Sequence, residues 1–436
     1  MTTAKDNPRA GRPYRYTRRR WHVVFAAIDR LGTLATTAGR TLARLFDKRS
    51  LVGRSASGQD ANASPHDTKV ILLVQLDHLG DAIITTAMLP VLREHFPRAS
   101  IEVLAGRWNC DVFRAATQVD HVHVSGMNRF ADGLRARLGW IPATLWWGWK
   151  LRRRKVDLGI DVRGEFPMAL ILWLCGARRR LGWNCGGGGF LLTDSPKYVC
   201  NRPELESRMA LLAELGIEPS ASGWLDPPEF IVDKKPRRRI AEKLEGNKRP
   251  LAVLHVGAGT PAKQWTTAAW RELLWRLTAC RNMSVVLIGG NSDRTVAREI
   301  LDDRRWPWVT DWTGRLSLAE LAAVTERADV FVGADSGPAH LAAAVATPTV
   351  VLFSGTNNRW QWQPRGHCVE VIRADVKCSP CHRRRCDRPE HPCMSRITPR
   401  SVQAVVEKIV ERKHAGLSRK TSRASLHTPS HGIRSQ

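Results

Sequence analysis

The sequence predicts an α/β protein built from two doubly wound parallel sheets, one in each half of the chain. Three observations carry this. Residues 70–74 (Val-Ile-Leu-Leu-Val) and 251–256 are short apolar runs rich in β-branched residues, as expected of parallel strands buried on both faces. Each run leads into a glycine-bearing loop and then a helical pattern, so strands and helices alternate. The same alternation begins twice, on either side of a charged stretch at residues 233–250. With 436 residues, 43% hydrophobic and 25% charged, the chain can bury two ordinary cores, and a disordered or fibrous protein is excluded.

Taken in order, residues 1–65 form a basic arm that ends in a Gly/Ser/Asn-rich linker at 53–65. Within it Val24, Ile28, Leu31, Ala35, Ala38, Leu42 and Leu45 share one helix face, with Arg30, Arg40, Arg44 and Lys48 on the other. Such a helix suits an anionic membrane surface, or packing on the body of the protein. The first sheet then takes strands at 70–74, 101–104, 119–124 and 157–162, with helices at 81–95 and 167–174. Residues 127–155, rich in Trp and Arg, show no clear period. The second sheet takes strands at 251–256, 284–288, 330–332 and 349–353, with helices from Thr267 and at 337–346. A last helix at 399–413 precedes a basic tail. The expected domains are therefore 1–65, 66–240, 241–413 and a disordered 414–436, with a ligand cleft between the two central ones.

The charge is uneven. The net charge is +27, from 68 Lys+Arg against 41 Asp+Glu. Residues 1–65 hold 13 basic and 4 acidic side chains, and residues 412–436 hold 6 basic and none acidic. An anionic partner is implied, whether nucleic acid, lipid or a phosphorylated substrate. No helix-turn-helix, RNA-recognition or paired zinc-finger spacing is present, so nucleic acid is not the expected partner. No apolar run reaches the ~18 residues of a membrane span. Asp29 and Arg30 break the apolar stretch of the arm, so a signal peptide is not expected and the body is placed in the cytoplasm.

Three motifs follow predicted strands. In Gln75-Leu76-Asp77-His78-Leu79-Gly80-Asp81 the last residue opens a helix, as a cap or as a general base. In His255-Val256-Gly257-Ala258-Gly259-Thr260-Pro261-Ala262-Lys263 two glycines, a hydroxyl and a lysine suit a phosphate loop; the ending of a Walker A loop is absent. In Gly333-Ala334-Asp335-Ser336-Gly337-Pro338-Ala339-His340 the N–H groups of a helix start offer an anion site, favourable for a diphosphate. Each also has a plain structural reading: a solvated lysine, a capped helix, a buried histidine.

Together these motifs, with the stretch at 176–194 (GARRRLGWNCGGGGFLLTD), resemble glycosyltransferase family 9, the ADP-heptose:lipopolysaccharide heptosyltransferases. The resemblance spans about residues 69–413. It implies a GT-B fold and an inverting, metal-independent transfer of a heptose or related sugar from an ADP-sugar to a glycolipid acceptor. It implies Asp81 as general base and Arg163 facing the acceptor. On the donor side it implies Gly257, Thr260, Lys263, Asp335, Ser336, Gly337 and His340 at the phosphates and sugar, Asp293 at the ribose and Leu316 at the base. No cofactor is required. The enzyme is expected as a peripheral protein at the inner face of the cytoplasmic membrane. The Asp77-His78 pair departs from the small hydroxyl residues common in the family. A nucleotide-sugar epimerase of similar fold and a non-catalytic membrane or nucleic-acid-binding scaffold stand as alternatives.

Cys378, Cys381, Cys386 and Cys393 fall within sixteen positions and are candidate ligands of a structural zinc or an iron–sulfur cluster, or thiols or disulfides of a packed loop. The seventeen tryptophans include Trp140, Trp146, Trp147 and Trp149, which suit sugar stacking, a membrane interface or core packing.

Overall fold

The computed structural model describes residues 26–27, 29–34, 67–127, 134–200, 202–218, 227–302 and 304–424. Most of the arm and its linker, and residues 425–436, lie outside the described residues. The chain divides into two compact units, Met1–Pro228 and Glu229–Gln436.

In the first unit a helical segment, α1 (residues 29–34), precedes the sheet. Then come β1 (Val70–Gln75), α2 (Leu79–Thr86), α3 (Met88–His95), β2 (Ser100–Gly106), α4 (Cys110–Arg114) and β3 (His121–Ser125). They are followed by α5 (Leu134–Leu151), β4 (Leu158–Asp161), α6 (Phe166–Leu174), β5 (Arg179–Gly182) and α7 (Glu204–Ala213). The strands are all parallel, in the order β3-β2-β1-β4-β5. Central β1 is buried along almost its whole length, which is why it is a continuous apolar run. Leu72, Val74 and Leu104 on one sheet face pack with Trp147 and Leu151 of α5 and Met168 and Leu172 of α6.

The stretch without a clear period is therefore mostly one helix. Trp147 and Leu151 are buried, but the exposed Trp146 and Trp149 beside them hide the pattern. Edge strand β5 was not expected either: its sequence, Arg-Arg-Leu-Gly, carries no apolar run because only Leu181 and Gly182 are buried.

In the second unit α8 (Lys234–Lys243) leads to β6 (Leu251–His255), α9 (Thr267–Trp275), β7 (Ser284–Ile288), α10 (Arg294–Leu301) and β8 (Val309–Asp311). Next are α11 (Leu318–Arg327), β9 (Val330–Ala334), α12 (Gly337–Ala344), β10 (Thr349–Leu352) and α13 (Arg359–Trp362). The unit closes with β11 (Val369–Ile372), α14 (Pro392–Ser395) and α15 (Pro399–Ala424). Its sheet is again all parallel, in the order β11-β10-β9-β6-β7-β8.

Two boundaries differ from expectation. The division falls at Pro228/Glu229, ahead of 240/241, because the charged stretch is helix α8 and belongs to the second unit. Its Ile240 is buried, and Arg237 grips Glu326 of α11 with bonds of 2.7 and 2.6 Å. Highly charged helices of this kind show few apolar residues because only one stripe is covered. At the other end α15 runs from Pro399 to Ala424, past the expected boundary at 413.

Gly148 lets α5 approach α6 closely, since a Cβ there would lie 2.4 Å from the Cβ of Leu174. Gly148→Val should overpack this contact and cost about 1–3 kcal/mol in chemical denaturation. An unchanged midpoint would show that the two helices can part at this point.

Candidate active site

In each sheet the strand order reverses once, and the two strands at that point feed loops into one crevice at their carboxyl ends. In the first unit these strands are β1 and β4, paired with Val74 opposite Asp161. The loop after β1 carries Asp77 and leads to Asp81 in the first turn of α2, and the loop after β4 carries Arg163. The N-cap of α2 is His78, and no side chain caps this helix, so Asp81 is not its cap. Asp81 is instead a buried carboxylate, 5% exposed, in a network of charges.

Arg208 of α7, fully buried, donates to Asp81 Oδ1 at 3.0 Å, to Glu204 Oε2 at 3.0 Å and to the Val162 carbonyl at 2.9 Å. Arg163 lies 3.0 Å from Asp77 Oδ1, 3.7 Å from Asp81 Oδ1 and 3.0 Å from Glu165 Oε1. Both guanidinium groups meet Oδ1 of Asp81, and among the described residues no donor reaches Oδ2. Burial works against the charge of Arg163, but the carboxylates of Asp77, Glu165, Asp81 and Glu204 outweigh it and hold the group firmly protonated. Asp161 anchors the same loop by accepting the N–H groups of Arg163, Gly164 and Glu165 at 2.9–3.0 Å. Burial still pushes its carboxyl up to about 7. Gly164 turns the loop with φ +75, where a side chain would strike the Trp183 carbonyl.

A cavity of about 590 Å³ opens at the carboxyl ends of β2 and β3. Arg107, Ser125, Trp140, Trp146 and Trp147 are among its walls. Beside the Arg107 wall, Trp108 donates its indole N–H to the Asp77 carbonyl at 2.6 Å. Of the four clustered tryptophans, then, Trp147 belongs to the core and Trp140 and Trp146 also face a cavity.

In the second unit the reversal lies between β6 and β9, with His255 opposite Gly333. The loop after β6 places Lys263 at the end of a 3₁₀ turn, Pro261–Lys263. Its ammonium group reaches Asp335 Oδ2 at 2.7 Å and the Asp335 carbonyl at 3.0 Å. Asn357 also donates to Asp335 Oδ2, at 3.2 Å. Ser336 is the N-cap of α12 without a side-chain bond to it, and Gly337 is its first residue. A lysine, a helix start and a hydroxyl therefore share one crevice, a natural place for a diphosphate.

Gly257 faces the Asp293 carboxylate, which a Cβ would meet at 2.2 Å, and Asp293 accepts the Gly290 N–H at 2.8 Å. The buried hydroxyl of Thr260 has no partner among the described residues. Leu316 is half-buried just ahead of Ser317, the cap of α11. His340 is buried on α12. All of these stand on the carboxyl-end loops of this sheet or on the helices they open.

The four clustered cysteines are free thiols here. Among the described residues no group of three or more His, Cys, Asp or Glu side chains is arranged to hold a metal, so the expected zinc set is not seen. The loop is held by backbone bonds instead. Cys381 and His382 donate N–H groups to the Gly355 and Thr356 carbonyls at 2.9 Å. The same loop clasps the lysine turn: Ala262 donates its N–H to the Arg384 carbonyl at 3.1 Å, and His391 Nε2 meets the Ala262 carbonyl at 3.0 Å.

Two residues of the site were not foreseen. Arg208 had one signal, a cation on the apolar face of its helix between Leu205, Met209 and Leu212. His255 had none beyond its place at a strand end. It is buried and its Nδ1 lies 3.4 Å from Ser336 Oγ.

The sequence profile of glycosyltransferase family 9 (heptosyltransferase) matches residues 147–391, more than half of the chain. Lipopolysaccharide heptosyltransferase 3 of Escherichia coli is 26% identical over 347 residues, covering 78% of this chain and 98% of the relative. The structure of Escherichia coli ADP-heptose lipopolysaccharide heptosyltransferase II superposes with a TM-score of 0.65 at 22% identity, over 79% of this chain and 99% of that one. A family 9 glycosyltransferase from Veillonella parvula superposes with a TM-score of 0.66 at 18% identity, over 79% and 97%. The fold is accordingly GT-B, two Rossmann-like domains with parallel sheets.

Burial lowers the His255 imidazole from its usual 6.5 to about 4, against the pull of the Asp293 carboxylate. The unfolded chain then binds a proton that the folded chain refuses between those values. Stability should be complete above pH ~6.5 and fall towards pH 4 by up to about 1.4 kcal/mol per unit from this group. Denaturation of wild type and His255→Gln across this window checks it: the variant should show a shallower slope, and equal slopes would exclude the histidine as the cause.

Proposed function

The chain belongs to glycosyltransferase family 9, and on that premise we propose that it moves a heptose or related sugar from an ADP-sugar to a lipopolysaccharide-core or similar glycolipid. The transfer inverts the anomeric carbon and uses no metal ion. The observation that carries this reading is the crevice between β6 and β9, where Lys263, Asp335 and the start of α12 come together. Lysine and helix-start N–H groups stabilise charge that grows on a departing nucleoside diphosphate. Gly257, Thr260, Ser336, Gly337 and His340 complete the donor's phosphate and sugar contacts. Asp293 serves the ribose and Leu316 the base. The ADP-heptose named for the Escherichia coli structure supports the choice of donor.

The acceptor is taken by the first unit. Asp81, through Oδ2, removes the proton of the acceptor hydroxyl as that oxygen attacks the anomeric carbon. The bond from that carbon to the diphosphate oxygen breaks, and its electron pair leaves with the diphosphate. Arg208 and Arg163 hold the other oxygen of Asp81, so the free one keeps a fixed direction. Arg163, which also holds Asp77, faces the acceptor. The cavity lined by Arg107 and the tryptophans takes the acceptor's sugar, by stacking and by pairing with an anionic group. A glycolipid acceptor places the enzyme at the inner face of the cytoplasmic membrane. The net charge of +27 suits that location.

Asp81→Asn should lower transfer by about 10²–10⁴ while donor binding stays near wild type, with chelator present in both assays, and should lower the melting temperature because buried Arg208 loses a charge partner. Turnover at the wild-type rate would remove the general-base role. Lys263→Ala should weaken binding of free ADP as well as of the ADP-sugar, measured by calorimetry, since the lysine is assigned to phosphate. Unchanged affinity for ADP would move the lysine away from the diphosphate.

A further inference from the structure

Helix α5 has two unlike faces. Inward, Trp147 and Leu151 are buried in the core, and Gly148 lies against α6. Outward, Ile141, Leu145 and Trp149 follow at intervals of four residues and are 42%, 51% and 63% exposed. Trp146 beside them is 47% exposed. A helix side facing plain water usually carries charge at such positions. From Ile141 to Trp149 no residue is charged, and the charge that follows has one sign. Lys150, Arg152 and Arg153 are exposed, and no acidic residue occurs between positions 134 and 156. The Lys150 ammonium sits 4.5 Å from the Trp146 ring centre, and the Arg153 guanidinium 5.7 Å from that of Trp149.

Two other helices of this unit also expose apolar side chains. Trp173 of α6 is 49% exposed. Leu31 and Leu34 of α1 are each 67% exposed. Helix α1 is fixed to the unit, because Asp29 accepts the Gly188 N–H at 2.7 Å and Gly32 lies against the Phe190 ring. No helix among the described residues is long and apolar enough to cross a membrane.

We propose that the outer face of α5 is the surface by which this protein lies on an anionic lipid bilayer. Leu145, Trp146 and Trp149 enter the interfacial layer, and Lys150, Arg152 and Arg153 meet the lipid phosphates. Charge decides between a bilayer and a second copy of the chain. A two-fold contact through this face would set its cations against one another with no carboxylate to pair them, whereas an anionic bilayer pairs them all. The face also adjoins the cavity assigned to the acceptor's sugar, since Trp146 belongs to both. An amphiphilic acceptor can thus keep its acyl chains in the bilayer while its head group enters the cavity. The proposal deepens the membrane location given above.

The test uses the full-length protein and vesicles of phosphatidylcholine with a minority of phosphatidylglycerol, containing no glycolipid. Failure to bind them would therefore leave glycosyl transfer untouched. Wild type should sediment with these vesicles at low salt, and far less at high salt or with phosphatidylcholine alone. The double variant Leu145→Gln, Trp149→Gln should partition at least about tenfold more weakly, with melting temperature and far-ultraviolet spectrum unchanged. The pair Arg152→Gln, Arg153→Gln should lose most of its dependence on phosphatidylglycerol. As a second measurement, brominated lipid should quench less fluorescence in Trp149→Phe than in wild type. Equal partition and equal quenching for wild type and variants would overturn the proposal. So would a wild-type dimer that Trp149→Gln converts to a monomer without any vesicle binding, because the face would then join two copies.

Discussion

The site residues depend on one constraint, the reversal of strand order within a parallel sheet. Where neighbouring parallel strands send their helices to opposite faces, the loops at their carboxyl ends must part, and the gap cannot be filled by the sheet itself. The first sheet has this gap between β1 and β4, and the second between β6 and β9. Asp77, Asp81 and Arg163 come from the first pair of strand ends. His255, Lys263, Asp335 and Ser336 come from the second. Buried strands fix the position of each loop base, so side chains far apart in sequence arrive within hydrogen-bond distance without a long flexible loop.

That placement brings charges into a buried setting, which is unfavourable unless they are paired. The first unit meets the cost with a closed network. Arg208 has no exposure, yet it faces two carboxylates and a carbonyl, and Glu204 accepts a further bond from the Tyr198 hydroxyl at 2.7 Å. Removing one member would leave the others desolvated and unmatched, which typically costs 3–5 kcal/mol, so the network is rigid as well as charged. The second unit answers differently. Lys263 and Asp335 neutralise each other, and His255 gives up its proton. Both arrangements hold polar groups in fixed directions before any substrate arrives, which is what a charge-developing reaction requires.

Helix α5 shows how one element serves the core and the surface together. Its buried residues complete the first sheet's packing, and Trp147 donates its indole N–H to the Ser125 hydroxyl at 2.9 Å. The next turn of the same helix walls a cavity and then turns outward as an apolar, basic face. The tryptophans have the size for all three tasks, being apolar in body with a single donor at one edge.

How much of this was legible in the sequence follows from the range of the interactions. The central strands, the loops after β1, β6 and β9, and the candidate residues Asp81, Lys263, Asp335 and Ser336 were legible, because burial on both faces and glycine-bearing turns leave local marks. Edge strands β5, β8 and β11 left weak marks, since they are short and only partly covered. Helix α8 was masked by its charge, and α5 by its mixed faces. The cysteine spacing left a metal and packed thiols or disulfides both open, and the backbone bonds of that loop to the Ala262 and Gly355 segments join positions too far apart for any spacing to report. Arg208 lies 127 residues from Asp81, and Lys263 lies 72 from Asp335. No periodicity reports contacts of that span. The sequence by itself determined the repeating strand–helix order and the residue types at the strand ends. Only the tertiary structure decided which of those residues meet, because strand order and helix packing set the distances between them.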